Sequence, residues 1–220
     1  MVLSLMRSAG PGPAASASTA LRAGEVLPLP AATAGGVLVI RRGWVARCHE
    51  LEDGRRQISA LFMAGDLCDP LWPAGGAGTR AVALTPVETM MVALPPVPEL
   101  LDEVAARARL SASWTVNLGR KSALERLANL FCELFVRAPR GDPRAGACEM
   151  PLSARDLADA TGLTVQHVQR IVADLRTAGL ARVARRRLTI PDFARLARTA
   201  RFDPAAMPRR RNWLVHPASA

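Results

Sequence analysis

The stretch "LSARDLADATGLTVQHVQRIVADLRTAGL", Leu152–Leu180, contains two short amphipathic runs separated by "TGLT". Ser153 and Thr164 each stand just before a run, in the position of a helix N-cap. Gly162 supplies the positive φ that a tight turn needs, and Gly179 is the expected residue after the second helix. The pattern predicts two helices joined by a turn of three or four residues, which is the helix-turn-helix arrangement.

The second run is also predicted to carry an exposed polar face. Its apolar residues, with those of the first run, recur at the spacing by which two helices pack together: Leu157, Leu163, Val168, Ile171 and Leu175. The remaining side chains of its N-terminal half suit base edges in the major groove, where a recognition helix binds. These candidate base contacts are Val165, Gln166, His167, Gln169 and Arg170. The alternative is the solvated face of an ordinary helical hairpin.

The next stretch, "GLARVARRRLTI", predicts a wing. Two short strands, Ala181–Val183 and Leu188–Ile190, are expected around an arginine-rich tip. Polar and basic side chains here and at the two helix starts would hold phosphates, which position a protein on DNA without specifying sequence. The candidate phosphate contacts are Ser153, Thr164, Arg185, Arg186 and Arg187.

The net charge of +10 lies entirely in the second half of the 220 residues. Ten basic and ten acidic residues precede Gly119, whereas nineteen basic and nine acidic residues follow from it. Such an excess indicates a polyanion partner, and arginine suits bidentate contact with phosphate and guanine. A basic surface that only maintains solubility is the alternative, and the arginine bias also fits a GC-rich genome.

The cysteines and the N-terminal residues predict no cofactor, metal site or membrane segment. Residues 1–20 are expected to form a disordered tail, because their apolar part is too short for a signal-peptide core. Cys48, Cys68, Cys132 and Cys148 are widely spaced and form no C-x-x-C pair, so free thiols in a reducing cytoplasm are expected.

Residues 21–94 have the pattern of an all-strand domain. The runs "GWVARCHEL" and "RQISALF" flank Glu52-Asp53-Gly54-Arg55, and Asp-Gly between such runs indicates a hairpin. In the second run Ile58, Ala60 and Phe62 share one face by the period of two. Several short strands with turns between them predict a small barrel or sandwich.

Pro95–Pro98 ends these strands, and a long helix is predicted next, to Leu118. Its alternating three- and four-residue steps form a weak heptad seam that favours pairing with a second copy. The seam residues are Leu101, Val104, Ala108, Ser111, Thr115 and Leu118. A helix packed only on the barrel is the alternative. Ser122-Ala123-Leu124-Glu125 then reads as a capping box that starts another helix.

This order of parts resembles the Crp/Fnr family of bacterial transcription regulators over roughly Leu21–Ala200. The pattern L-x-x-x-D-L-A-x-x-x-G-L-T-x-x-x-V-x-R is matched from Leu152 to Arg170, and Arg42–Val45, Asp53–Ile58 and Gly65-Asp66 match the family's sensor. "WTVNLGRKSALERLANLFCEL" is similar to the hinge of an alphaproteobacterial branch. The resemblance implies an α+β fold: a cyclic-nucleotide-binding-like β-roll at 21–97, a dimerisation helix at 98–118, a winged helix-turn-helix at 119–200 and a tail at 201–220.

The sequence departs from the family where cyclic nucleotides bind. Arg80 and Ala81 remain, but Asp69-Pro70-Leu71 replaces the family's Gly-Glu-Leu, so dependence on a cyclic nucleotide is not expected. A regulator gated by a small ligand in the β-roll, with Arg80 as its binding residue, is the alternative. The redox branch's N-terminal cysteine cluster is absent from this sequence. Gln166 replaces the family's frequent glutamate, which predicts a different operator preference.

The resulting hypothesis is a cytoplasmic, homodimeric, sequence-specific transcription regulator on a roughly palindromic operator. Its expected partners are double-stranded DNA, a second copy and RNA polymerase. An enzyme with an accessory basic domain is the other alternative. It is not favoured, because His49, His167 and His216 are the only histidines and none neighbours an obvious nucleophile or metal partner.

Overall fold

The computed structural model describes residues 18–28, 36–68, 78–138, 146–207 and 213–214. The chain divides into two compact units: residues 1–55, 60–105 and 210–220 form the first, and residues 56–59 and 106–209 form the second. Strands dominate the first unit and helices the second, so the predicted α+β class is confirmed. None of the helices in the described part of the chain has the length and hydropathy that a membrane span requires.

The strands of the first unit form two three-stranded sheets, ordered β1-β6-β2 and β4-β3-β5. The predicted hairpin joins β3 to β4: Gly54 has φ +81°, and the Leu51 N–H donates to the Arg55 carbonyl at 2.9 Å. The strands are β1 (Ser18–Leu21), β2 (Gly36–Arg42), β3 (Trp44–Glu50), β4 (Arg56–Met63), β5 (Thr79–Ala83) and β6 (Val87–Ala93).

Strand β2 is buried on both faces, which explains its unbroken apolar run. Leu38 and Ile40 enter a core with residues of the other strands, among them Phe62. Val37 and Val39 lie on the opposite face and pack against Leu67 and Trp213. Trp213 is 3% exposed, its main-chain N–H donates to the Gly65 carbonyl at 3.1 Å, and its indole Nε1 donates to Glu103 Oε2 at 3.3 Å.

Some residues of both predicted tails belong to the two folded units. Ser18–Leu21 pairs antiparallel with β6, because the edge of a sheet offers unpaired N–H and C=O groups to any extended segment. The first seventeen residues lie outside the described part. At the other end, residues 201–207 continue the second unit, where Phe202 packs edge-on against Phe193 with ring centroids 6.1 Å apart. Trp213 belongs to the first unit.

Helices and one small sheet build the second unit. Helix α1 (Val97–Arg120) belongs to this unit from residue 106 onward, and it runs slightly beyond the predicted bounds at both ends. The predicted capping box starts α2: the Ser122 N–H donates to Glu125 Oε2 at 2.8 Å, and the Glu125 N–H donates to Ser122 Oγ at 3.4 Å. The other elements are α2 (Ala123–Arg137), β7 (Ala147–Glu149), α3 (Ala154–Thr161), α4 (Val165–Thr177), β8 (Arg182–Ala184), β9 (Arg187–Thr189) and α5 (Phe193–Ala200).

The core of the second unit is centred on α2. Leu127, Leu130, Phe131 and Leu134 of this helix are at most 2% exposed. Helix α5 packs on it, with Phe193 stacked on Phe135 at 5.5 Å between ring centroids. The third sheet has the order β7-β9-β8.

Candidate nucleic-acid interface

Helix α3 and the turn that follows it hold the first half of the helix-turn-helix. Ser153 caps α3 in a reciprocal box with Asp156, whose N–H donates to Ser153 Oγ at 3.1 Å and whose Oδ2 accepts from the Ser153 N–H at 2.9 Å. Gly162 ends the helix with φ +65°, a conformation that glycine adopts without penalty. The predicted cap and turn are therefore present.

Helix α4 is oriented by its cap and by its buried face. Thr164 Oγ1 accepts a hydrogen bond from the His167 N–H at 3.2 Å, which satisfies one of the free N–H groups of the first turn. Val168, Ile171 and Leu175 are 1 to 3% exposed. Because these three side chains enter the core, the opposite side of α4 is left to solvent.

Three of the predicted base-contacting side chains share that exposed side. Gln166, Gln169 and Arg170 are exposed, and their spacing of three and four residues places them on one helix face. Val165 and His167 are half-buried. The amides can pair with adenine N6 and N7, and the guanidinium can pair with guanine O6 and N7. We call Gln166, Gln169 and Arg170 the recognition face.

The exposed side of α4 includes more residues than those predicted from the sequence to contact DNA. Ala173, Arg176 and Thr177 are also exposed, as is Asp174. The helical spacing from Gln169 and Arg170 could have identified them, because Ala173 follows these residues by four and three positions. Arg176 adds a cation in the last turn, where it also complements the negative end of the helix.

The wing is a tight hairpin with arginine at its tip. Strands β8 and β9 pair antiparallel with Ala184 opposite Arg187, so only Arg185 and Arg186 form the turn. Their φ values of 50° and 60° are those of a type I′ turn, which Asn-Gly usually occupies. All three predicted arginines of the wing are exposed.

Strand β7 supports the wing from its other side. It pairs with β9 so that Glu149 lies opposite Arg187, and the Met150 N–H donates to the Arg186 carbonyl at 2.8 Å. Neither β7 nor the contribution of Arg182 was predicted from the sequence. Arg182 of β8 is exposed and adds a fourth cation to the wing. A three-residue strand with no hairpin turn beside it has too little pattern to be recognised in a sequence, whereas Arg182 follows directly from the predicted hairpin.

The two predicted hydroxyl contacts to phosphate differ in their surroundings. Ser153 Oγ donates to Asp156 Oδ2 at 2.6 Å, so its proton is engaged and a carboxylate lies beside it. Thr164 is exposed, and its Oγ1 acts as an acceptor in the cap. A hydroxyl also has a proton to donate, so Thr164 can cap α4 and contact a phosphate at the same time.

Arg80, the candidate ligand-binding residue of the β-roll, lies at the surface of the first unit. Its Nη1 is 3.4 Å from Glu50 Oε2, and 57% of its side chain is exposed. The neighbouring Ala81 and Ala83 are buried in the core, so Arg80 projects from the other face of β5. Asp69-Pro70-Leu71 lies outside the described residues. Within the described ranges no group of three His, Cys, Asp or Glu could hold a metal ion.

The chain is similar to known proteins both in the second unit and over most of its length. A family model described as a Crp-like helix-turn-helix domain matches residues 125–199. The chain is 30% identical over 174 residues to the transcriptional activator protein FnrL of Cereibacter sphaeroides, covering 70% of this chain and 68% of that protein. It is 28% identical over 170 residues to a probable transcriptional activator of Rhizobium leguminosarum bv. viciae, covering 72% and 71%.

The fold has a solved counterpart in FixK2 from Bradyrhizobium japonicum. That structure superposes with a TM-score of 0.70 at 27% identity, covering 84% of this chain and 96% of that one. The resemblance drawn from the residue pattern is thereby confirmed. The helix-turn-helix, the wing and these matches together show that the chain belongs to the Crp/Fnr family of transcription regulators.

Proposed function

We propose that this regulator binds a roughly palindromic operator as a homodimer, in the cytoplasm, and needs no cyclic nucleotide to do so. The observation that carries the proposal is the recognition face of α4 with the arginine-tipped wing beside it in one unit. A polar helix face reads base edges, and guanidinium groups hold the phosphates on either side. Gln166, Gln169 and Arg170 determine sequence, with Val165 and His167 at the edge of the contact.

The exposed side of α1 supports the homodimer. Of the six seam residues, Leu101, Ala108, Ser111 and Thr115 are exposed, and the other two are half-buried. The buried residues Leu110, Trp114 and Asn117 occupy a different side of the helix. Leu101 leaves 62% of its surface in water, and a second copy of α1 would cover it.

The dimer is tested by placing a charge in this seam. We expect Ala108→Glu to raise the dimer dissociation constant at least ~10-fold, because two unpaired carboxylates would be buried together. Arg109→Glu is the matched control: it places a glutamate one residue further along the exposed surface, outside the seam. Sedimentation equilibrium measures both variants. Equal dimer affinity for Ala108→Glu and the unaltered chain would contradict pairing through α1.

Selection of bound fragments from random DNA, with no ligand added, tests the proposed function directly. A homodimer should enrich two inverted half-sites about one helical turn, ~34 Å, apart. Enrichment of a single half-site would contradict the dimer, and absence of any enriched sequence would contradict base reading.

Independence from cyclic nucleotides is supported by the position of Arg80, whose guanidinium is paired with Glu50 at the surface. Calorimetric titration with cyclic AMP and cyclic GMP should give no heat of binding. Binding that Arg80→Ala abolishes would instead favour the effector-gated alternative.

A contact with RNA polymerase completes the proposal, because two similar proteins are named as transcriptional activators. Transcription in vitro from a promoter carrying the selected operator should rise when the protein is added. A fall would indicate a repressor.

A further inference from the structure

The link between α1 and α2 is tied by side chains to the ends of two other helices of the second unit. It consists of Lys121 and Ser122, and Lys121 is the only lysine of the chain. Its Nζ donates to Asn129 Oδ1 at 2.6 Å, to the Ala200 carbonyl at 2.9 Å and to the Arg201 carbonyl at 3.1 Å. An ammonium group has three N–H donors, so these acceptors use all of them.

Two of the three acceptors of Lys121 are carbonyl groups that helix α5 leaves unpaired. Ala200 is the last residue of α5 and Arg201 is its C-cap, so their carbonyls have no partner within the helix. A cation at this end also complements the helix dipole. A guanidinium has a planar fork of donors and fits three acceptors around one nitrogen less well. This geometry gives a physical reason for lysine at a position in a chain otherwise supplied with arginine.

Arg126 ties the same link to the helix-turn-helix. Its Nε donates to the Lys121 carbonyl at 2.9 Å, and its Nη1 lies 3.4 Å from the carbonyl of Thr161, the last residue of α3. The Arg126 carbonyl in turn accepts from Asn117 Nδ2, on α1, at 3.3 Å. Arg126 therefore joins α1, the link and the end of α3.

A second, buried tie fixes α1 to α2 away from the link. The indole Nε1 of Trp114 donates to Glu133 Oε2 at 2.7 Å, and Glu133 is fully buried. Two ties at different levels oppose a change in the angle between the last turns of α1 and α2. The hydrogen bonds of Lys121 and Arg126 then hold the ends of α5 and α3 in a fixed position relative to α1 and α2.

We propose that Lys121 and Arg126 are positioning residues that set the spacing of the half-sites this regulator recognises. The proposal rests on the homodimer proposed above. In such a dimer the direction in which α1 leaves the DNA-binding unit determines how far apart, and at what rotation, the two α4 helices lie. One base pair changes the separation by ~3.4 Å and the rotation by about 35°, so a firmly held α1 tolerates little change.

Binding to operators of different spacing tests this role. The variants are Lys121→Met and Arg126→Met, which keep an apolar stem and remove the donors. Each is titrated against the selected operator, against versions one base pair shorter and longer, and against a single half-site. We expect the unaltered chain to lose at least ~10-fold in affinity on either altered spacing, and each variant to lose less than ~3-fold. Affinity for the single half-site should stay unchanged.

The controls separate positioning from stability. Arg120→Met, which removes an exposed cation next to the link, should keep the full spacing preference. Lys121→Arg retains the charge and should have an intermediate preference; with Arg126→Met it decides the question if Lys121→Met does not fold. Equal loss on all three spacings would show a purely structural role and overturn the proposal, as would an unchanged spacing preference. If the unaltered chain binds all three spacings equally but more tightly than the single half-site, the homodimer stands and this proposal is wrong. If it binds none of the spacings more tightly than the single half-site, the proposed homodimer on a palindrome is wrong as well.

Discussion

At the scale of single residues, Arg170 and Arg187 carry the same charge but lie on different elements. Arg170 belongs to the recognition face, where a guanidinium can make two hydrogen bonds to one guanine. Arg187 begins β9 in the wing, where it is expected to meet phosphates. The two arginines should therefore contribute differently to sequence preference.

We expect Arg170→Ala to lose about 1 to 3 kcal/mol of binding free energy on the selected operator and to relax the preference at one base position. Arg187→Ala should weaken binding to all sequences alike and reduce the slope of log affinity against log salt by about one. Titrations against a library of single-base operator variants at several salt concentrations measure both effects. Uniform loss with Arg170→Ala would refute base reading by this residue.

Two buried cysteines allow a prediction about pH. Burial raises the pKa of the Cys132 thiol to about 12, and burial raises that of Cys148 to about 11. Thiolate is the reactive form, so we expect both to resist iodoacetamide at pH 8.5 until urea unfolds the chain. The folded pKa values exceed the unfolded value of 9.0. The contribution of the two buried thiols to stability is therefore fully present below pH 9 and is lost as the pH rises through about 11 for Cys148 and about 12 for Cys132.

Mass spectrometry of the alkylated protein, with and without urea, follows the first effect. Thermal unfolding between pH 8 and 11 follows the second. Labelling of Cys132 in the folded protein at the rate of a free thiol would contradict its burial.

At the scale of elements, the wing shows that sequence patterns are insufficient to predict exact strand bounds and turn length. The predicted strands each lie one residue further from the tip than β8 and β9 do. Three consecutive arginines suggest an open loop, because non-glycine residues at positive φ are uncommon. The hairpin instead closes in two residues, and the register of β9 against β7 fixes where it does so.

Because the turn residues have positive φ, one substitution here should raise stability and lower DNA affinity. Replacing Arg185-Arg186 by Asn-Gly should stabilise the second unit by about 1 to 2 kcal/mol, because asparagine and glycine adopt positive φ more easily. The same change removes two cations, so DNA affinity should fall and depend less on salt. Chemical denaturation and DNA titration measure the two effects. As a control, Arg185→Lys with Arg186→Lys keeps both charges and should leave stability unchanged. Lower stability in the Asn-Gly variant would contradict the observed φ values.

Local signals explain which elements the sequence predicts well. Helices α2, α3 and α4 each have a capping residue and a helical apolar period, and Gly162 marks the turn between α3 and α4, so their identity follows from neighbouring residues alone. Strand β1 depends on pairing with β6. Its four residues are exposed or half-buried and have no pattern that predicts a strand. The exposure of the recognition face could be predicted, whereas the partial burial of Val165 and His167 depends on packing around α4.

At the scale of the whole molecule, Trp213 connects distant parts of the sequence within the first unit. It follows the second unit in the chain and fills the outer face of the sheet of β2 and β6. We expect Trp213→Ala to destabilise the first unit by about 3 to 5 kcal/mol, because a large buried side chain leaves a cavity. Amide exchange should accelerate in β2 and β6 and stay unchanged in α4.

Leu214→Ala is the matched control, because Leu214 is 36% exposed and its truncation should change little. Equal effects of the two substitutions would indicate that the segment, rather than the indole, stabilises the sheet. Unchanged exchange with Trp213→Ala would refute its contribution.

The late position of Trp213 in the sequence also has a consequence for folding during synthesis. The ribosome synthesises β2 and β6 first, then all of the DNA-binding unit, and only afterwards Trp213. Until that residue emerges from the exit tunnel, Val37 and Val39 lack the indole that covers them in the finished fold. The nascent first unit therefore exposes an apolar surface during translation, and we expect a chaperone to shield that surface.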